Sequence, residues 1–350
     1  MEKNNTLTQY YFIDRETTNI IKGVALIFMF IHHLFTFPDW YVDGVSYPHL
    51  QDFAYSFCAP FKLCVPLFAF LTGYFYFFAK NKTISYSLKK CTDVWLNYFI
   101  TFVLLLIPAI LFNTYDFSII KFLLEAVGLT RPTMVFCWYV VFYFTAMFIL
   151  PIYSRLSEKN SVLPFFFSLI IPLIIIPIAE KAIPANLSGL FQLVDNLQWF
   201  PCVAIGYVFA QHKLFFNILK AVTTKNIFIN IIIGGFFMII PFVARKFSAN
   251  YDFIYAPLFI YGLVSITNLI KNRKLLFPLS IIGKYSLSMW FLHCAFFNTY
   301  KEYTQWLLFL PKNPVLVLLW GLFICLVASY VIMIPINFII KMKNKIFKWQ

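Results

Sequence analysis

The residues best able to do chemistry sit in one run near the start of the chain, Ile20-Ile-Lys-Gly-Val-Ala-Leu-Ile-Phe-Met-Phe-Ile-His32-His33-Leu-Phe. Ten residues separate Lys22 from His33. In an α-helix those eleven steps turn through roughly 1100° and rise about 16 Å, three full turns plus about 20°. Lys22 and His33 are therefore expected on one face, with His32 about 80° away from Lys22. Ionisable groups inside an apolar helix are costly, face a bundle interior and mark functional positions. A cation at one rim and an imidazole past mid-membrane on the same stripe suit a chemical step on a substrate that enters from the cytoplasm and leaves outward. The other reading is structural: a histidine can simply hydrogen-bond a neighbouring helix, and Lys22 alone is a snorkelling anchor.

The elements that must position these groups are membrane helices. The chain has 350 residues, 61% of them hydrophobic and only 12% charged, with Phe at 45 positions and a mean hydropathy of +0.78. Soluble domains run near 45–50% apolar and about 25% charged. A disordered protein, a disulfide scaffold and a soluble enzyme with a membrane tail are all excluded. Ten apolar segments follow: 20–37, 57–79, 95–112, 133–153, 161–178, 191–210, 227–243, 253–270, 277–297 and 314–340. At about 20 residues per crossing they use about 200, which leaves roughly 14 for each tail or loop. No sizeable extramembrane domain fits, so any chemistry must occur inside the bundle or at its rims. Pro60, Pro66, Pro108, Pro172 and Pro201 fall within these segments and free backbone carbonyls that must find partners in the bundle. Pro335 is expected to end or kink the last one.

The expected fold is an all-α polytopic membrane helix bundle of about ten transmembrane helices, 20–340, between tails 1–19 and 341–350. The leader before the first segment is charged, the segment carries two histidines, and no small-x-small site follows, so it is read as a span and not as a signal peptide. The net charge of +14 is scattered between apolar runs, unlike the clustered basic surface of a nucleic-acid binder. With the N-terminus inside, nineteen Lys and Arg fall on the inner side and seven in outer loops, among them Arg131 and Arg245. The positive-inside rule then makes both termini cytoplasmic. Cys58, Cys64, Cys91, Cys137, Cys202, Cys294 and Cys325 show no C-x-x-C spacing, so neither a metal site nor a disulfide framework is expected. No Walker loop or G-x-G-x-x-G argues for nucleotide hydrolysis.

Four stretches in order resemble the membrane-bound acyltransferase family 3. The basic residue, ten positions and histidine of its first span are matched by Lys22 and His33. Val65-Pro-Leu-Phe-Ala-Phe-Leu-Thr-Gly-Tyr74 is similar to its second-span pattern, with Thr72-Gly73 where Ser-Gly is usual. Trp199-Phe-Pro-Cys-Val-Ala-Ile-Gly-Tyr207 resembles its F-x-x-G-Y stretch, and Ile281-Ile-Gly-Lys-Tyr-Ser-Leu-Ser-Met-Trp-Phe-Leu-His293 its late G-K-x-S-L-x-x-Y-L-L-H stretch. The resemblance covers about Ile20 to Ile340. Members with a fused extracytoplasmic domain often have an acid just after the Trp of the fourth span. Trp138-Tyr-Val-Val-Phe-Tyr143 has none, which favours the stand-alone branch.

The resemblance implies an integral membrane O-acyltransferase that moves an acyl group, acetyl by family default, from cytoplasmic acyl-CoA to a hydroxyl of an extracytoplasmic or lipid-linked glycan. Acetyl-CoA would be a donor substrate and no cofactor would be permanently bound. On this reading His33, with His32 beside it, is the catalytic candidate, as general base on the acceptor hydroxyl or as transient acyl carrier. Lys22 would pair with a CoA phosphate, helped by Lys80, Lys82, Lys89 and Lys90, which also fit positive-inside topology and anionic lipid. His293 could position the acceptor or hydrogen-bond another helix. Ser286 lies on its face seven residues earlier but is two turns away, too far for a Ser–His pair. Lys62 could face His33 or snorkel, and Asp39 and Asp52 could touch sugar hydroxyls or be solvated loop acids. The expected partners are acyl-CoA, a cell-surface glycan and the lipid bilayer, with no nucleic acid. The expected location is the cytoplasmic membrane, and the Lys-, Asn- and Ile-heavy usage fits a bacterium. Two other classes remain open: a lipid-linked glycan transporter or polymerase without acyl chemistry, and a secondary transporter. The second would carry an internal repeat with paired broken helices, and none is visible.

Overall fold

The computed structural model describes residues 12–37, 40–42, 44, 57–113, 115–131, 133–184 and 188–347. Among them the chain is helical, with no strand. The elements are α1 (Arg15–Phe35), a 3-10 turn Ala59–Leu63 leading into α2 (Cys64–Phe77), α3 (Ile84–Leu111), α4 (Ile119–Ala126), α5 (Trp138–Lys159) and α6 (Val162–Ala182). Then come α7 (Ser188–Asp195), α8 (Phe200–Gln211), α9 (Leu214–Val222), α10 (Ile227–Phe247), α11 (Asp252–Leu269), α12 (Phe277–Lys284), α13 (Ser286–Cys294), α14 (Lys301–Leu308) and α15 (Pro314–Phe347). Nine helices among the described residues are long and apolar enough to cross a membrane, or ten if the interrupted stretch 273–299 counts as one span. Asp39 and Asp52 lie outside the described residues.

Short polar side chains mark where the helices begin. A helix leaves its first backbone N–H groups without intrahelical acceptors, and an Asp, Asn, Ser or Thr just ahead of it can accept them. Asp14 Oδ1 accepts from Thr17 N–H (2.7 Å) ahead of α1. Asn160 Oδ1 accepts from Val162 (2.9 Å) at α6, Asn226 Oδ1 from Phe228 (2.9 Å) at α10, and Asn313 Oδ1 from Val315 (3.0 Å) at α15.

The prolines divide by position. Pro108 and Pro172 are interior to α3 and α6, as expected. Pro60 and Pro201 occupy the first turns of their helices, and Pro66 is the third residue of α2. There a missing N–H removes no intrahelical bond. Pro335 does not end α15, which continues to Phe347. The ninth apolar segment is not one helix: Tyr285 separates α12 from α13, and α13 runs into a single π turn at Ala295–Thr299.

The chain forms two compact units. The first is built from the described residues of Met1–His32, Ser56–Lys80 and Trp199–Ser286. Its helices meet through glycines. A Cβ on Gly73 would collide with the Val203 carbonyl, and one on Gly206 with the Phe70 carbonyl, so α2 and α8 touch backbone to backbone. Gly23 and Gly283 make the same reciprocal approach, against the Leu279 and Asn19 carbonyls. Small residues let membrane helices approach where lipid supplies no hydrophobic drive for association. Beside these contacts Phe28 packs edge-on against Phe61, Phe242 and Phe259 at 5.1–5.3 Å. Gly73, Gly206 and Gly283 are the glycines of the three later motifs, so those motifs record helix packing.

The second unit comprises the described residues of His33–Tyr55, Asn81–Gln198 and Leu287–Gln350. Trp95 Nε1–H donates to Ala126 O (2.9 Å) and Tyr98 Oη to Glu125 O (2.6 Å), which fastens α4 to α3. Asn97, Ser288 and Met333 meet as a buried polar trio, with Ser288 Oγ 3.3 Å from Asn97 Oδ1 and 3.0 Å from Met333 Sδ. Lys343 pairs with Asp93.

Gly206→Leu is expected to separate α2 from α8, since backbone contact leaves no volume for a side chain. The full-length protein should lose its cooperative thermal transition in detergent, whereas Gly235→Leu, whose Cβ meets nothing within 4 Å, should keep it. Equal behaviour of the two variants would refute the packing role.

Candidate active site

His33 lies in the last turn of α1, and its partner comes from the far end of the sequence. His33 Nδ1 is 2.8 Å from His293 Nε2. The ring centroids are 5.0 Å apart and the planes differ by 2°. A short nitrogen–nitrogen distance with that centroid spacing puts the two imidazoles edge to edge in one plane. His293 is fully buried, and its Nδ1 bonds the Trp290 carbonyl one turn back on α13.

This chain of bonds assigns the protons. A carbonyl only accepts, so His293 Nδ1 must carry hydrogen, and in the neutral ring Nε2 then holds the lone pair. That lone pair accepts from His33 Nδ1–H, which leaves the lone pair of neutral His33 on Nε2. His33 can gain a proton at Nε2 and lose it again without changing either bond. A second ring that orients a base and fixes its tautomer is the recurring logic of nucleophile and base pairs.

Aromatic rings cover this plate. Phe136, on the segment before α5, lies nearly parallel over both imidazoles, with centroids at 4.2 Å from His33 and 5.1 Å from His293. Trp40 stacks on Phe136 at 5.1 Å, and Phe37 stacks on Trp40 at 4.1 Å. Phe297 meets His293 edge-on at 5.4 Å. Each offset or edge contact adds about 0.5–1.5 kcal/mol beyond the area it buries. The Trp40 segment is fixed by buried Gln305 of α14, whose Oε1 accepts from Val42 N–H (2.7 Å) and whose Nε2 donates to Trp40 O (2.9 Å) and Phe297 O (3.1 Å).

The sequence-derived candidates fall in separate places. His32 is buried in the first unit, where it hydrogen-bonds the Cys58 backbone near Lys62 and Arg245. Lys62 is exposed, with its ammonium 5.7 Å from the Trp199 ring centre. Lys22 is half-buried in α1. Lys80 is exposed beyond α2, and Lys82, Lys89 and Lys90 are half-buried, with Lys90 5.6 Å from the Tyr86 ring centre. Among the described residues no group of three His, Cys, Asp or Glu side chains is placed to hold a metal.

Several residues escaped the sequence reading. Arg245, counted as a loop cation, is buried in α10 and pairs with Asp252 through Nε–Oδ1 (2.8 Å) and Nη2–Oδ2 (3.1 Å), with Nη1 on Ala59 O (3.2 Å). Removing one partner of such a pair costs about 3–5 kcal/mol. Glu125 is fully buried at the end of α4 and accepts from Thr133 N–H (2.6 Å) and the Thr133 hydroxyl. Burial pushes its carboxyl up to about 7, against the hydrogen bonds from Thr133. Phe136, Trp40 and Gln305 carry no spacing signal in a chain this rich in aromatics.

The geometry of the His33–His293 plate suits proton transfer to or from a hydroxyl, or acyl transfer through an imidazole nitrogen. The sequence profile described as "Acyltransferase domain" (acyltransferase 3) matches residues 13–334. The chain belongs to the acyltransferase 3 family. It is therefore an acyltransferase, with the helices of a multi-pass membrane protein, and the transporter readings give way to an enzyme. No curated protein and no solved structure matches it.

The buried Glu125 carboxyl predicts a pH-dependent stability. Its folded value lies above the ordinary 4.5, so its contribution is full below the ordinary value and is lost as pH rises through about 7. The thermal midpoint of the detergent-solubilised protein is expected to fall between about pH 5 and pH 8, and Glu125→Gln to flatten that fall. An unchanged slope in the variant would rule Glu125 out as the source.

Proposed function

We propose that this membrane acyltransferase moves an acyl group, acetyl by family default, from cytoplasmic acyl-CoA to a hydroxyl of an extracytoplasmic or lipid-linked glycan. The observation that supports a role for His33 is its Nδ1 bond to a histidine whose own Nδ1 is tied to a carbonyl. In one form of the reaction the acceptor oxygen attacks the thioester carbonyl while Nε2 takes the hydroxyl proton, and that proton passes to the departing CoA thiolate. In the other, Nε2 attacks the thioester itself to give an acyl-imidazolium that keeps its Nδ1–H, coenzyme A leaves as the thiolate, and the acceptor oxygen then displaces the imidazole while its hydroxyl proton ends on the thiolate. Both forms use the same nitrogen, and both conserve protons.

Lys22 is proposed to pair with a phosphate of the donor at the cytoplasmic rim, with Lys80, Lys82, Lys89 and Lys90 attracting the polyanion to that side. The donor reaches the bundle from inside, which goes with the proposed cytoplasmic placement of both termini.

Membranes containing the overexpressed protein, supplied with radiolabelled acetyl-CoA and the native glycan, should transfer label. His33→Ala should lower the rate by at least about 100-fold, the lower bound for a lost general base. Transfer at the wild-type rate in the variant would remove His33 from the mechanism. No transfer from any acyl-CoA by the wild type would remove the acyl donor from the proposal.

A further inference from the structure

The ring that lies over both imidazoles, Phe136, follows a segment fastened at Thr133. The Thr133 N–H donates to Glu125 Oε1 (2.6 Å) and its hydroxyl to Glu125 Oε2 (3.2 Å), while its carbonyl accepts from the Thr299 hydroxyl (2.7 Å). Glu125 is anchored in turn, because Tyr98 and Trp95 of α3 hold the last carbonyls of α4. Thr299 closes the π turn that follows His293. Thr133 is thus pinned on one side to a helix pair and on the other to the element that carries His293.

Three residues after Thr133, Phe136 covers both imidazoles. One residue further, Cys137 Sγ lies 3.8 Å from Sγ of Cys294, the neighbour of His293. A fully buried carboxyl is a costly way to fasten a loop that water or an exposed turn could satisfy. Both of its oxygens nevertheless serve Thr133. What distinguishes this loop is the ring it delivers, and a displacement of about 1 Å at a reacting group can lower a rate by about 100-fold.

We propose that Glu125 is a positioning residue for acyl transfer, acting through Thr133 to hold Phe136 flat against the His33–His293 pair. Phe136 blocks rotation of His33 out of the common plane, so releasing Thr133 frees the ring and weakens the Nδ1–Nε2 bond. For turnover this rests on His33 as the acyl-transfer residue; for the exposure of His33 it does not.

The test is therefore read first on His33 itself. Full-length protein in detergent is treated with diethylpyrocarbonate, and the rate of carbethoxylation at His33 is followed by peptide mass spectrometry. Glu125→Ala and Phe136→Ala should each raise that rate about tenfold, within the range of couplings between interacting residues. The double variant should match Phe136→Ala alone, because Glu125 acts through that ring. Glu125→Gln, which keeps an acceptor for the Thr133 N–H, should fall between wild type and Glu125→Ala. A wild-type rate in Glu125→Ala, or effects that multiply in the double variant, would overturn the proposal. Should Glu125→Ala not fold, Thr133→Val faces the same comparison with Phe136→Ala. In the transfer assay Glu125→Ala should lower kcat with the KM for acyl-CoA unchanged. Increased His33 reactivity with label transfer indifferent to His33 would overturn the acyl-transfer reading and leave the clasp standing; inactive His33→Ala with unaltered reactivity in Glu125→Ala would do the reverse.

Discussion

The hydrogen-bonded chain from the Trp290 carbonyl through His293 to His33 is the interaction on which the site depends. It is built from three groups that hydrocarbon would punish if left unsatisfied, and each satisfies the next. Its polarity runs one way because a carbonyl cannot donate. A single backbone oxygen on α13 therefore decides which nitrogen of a side chain on α1 holds the lone pair. The surrounding rings add no charge, but they keep the plate flat and keep its dielectric low, where a hydrogen bond is stronger than in water.

The two compact units solve different problems with different chemistry. In the first, glycines bring backbones into contact, and one buried ion pair, Arg245–Asp252, closes the end of α10 onto α11. In the second, side-chain hydrogen bonds to backbone carbonyls dominate: Tyr98 and Trp95 onto α4, Thr299 onto Thr133, Gln305 onto Trp40. Backbone approach makes a stiff frame, whereas side-chain clasps fix individual loops. The catalytic candidate stands in the unit made with clasps, where the position of one ring matters.

Much of the fold was legible because bilayer crossing imposes a length and a composition on every span. The apolar segments found in the chain correspond to the long helices, but the short helices α4, α9 and α14 fall outside them, and neither proline nor glycine marks the break at Tyr285 at that position. The site was legible by half. Helical phase singled out His33, but nothing in spacing could pair it with His293, 260 residues away, since the contact depends on which helices become neighbours. Adjacency in sequence is not adjacency in space: at about 100° per residue His32 turns away from His33 and bonds the Cys58 backbone instead. Phe136 is one of 45 phenylalanines, and Glu125 looks like any loop acid until the fold buries it.

The most direct measurement is the steady-state rate of acyl transfer by His293→Ala in native membranes, compared with its KM for acyl-CoA. If His293 fixes the tautomer of His33, kcat falls by at least about 100-fold, as for a disabled general base, while KM stays near the wild-type value. Wild-type turnover in His293→Ala would contradict the carbonyl–histidine–histidine chain as the basis of catalysis.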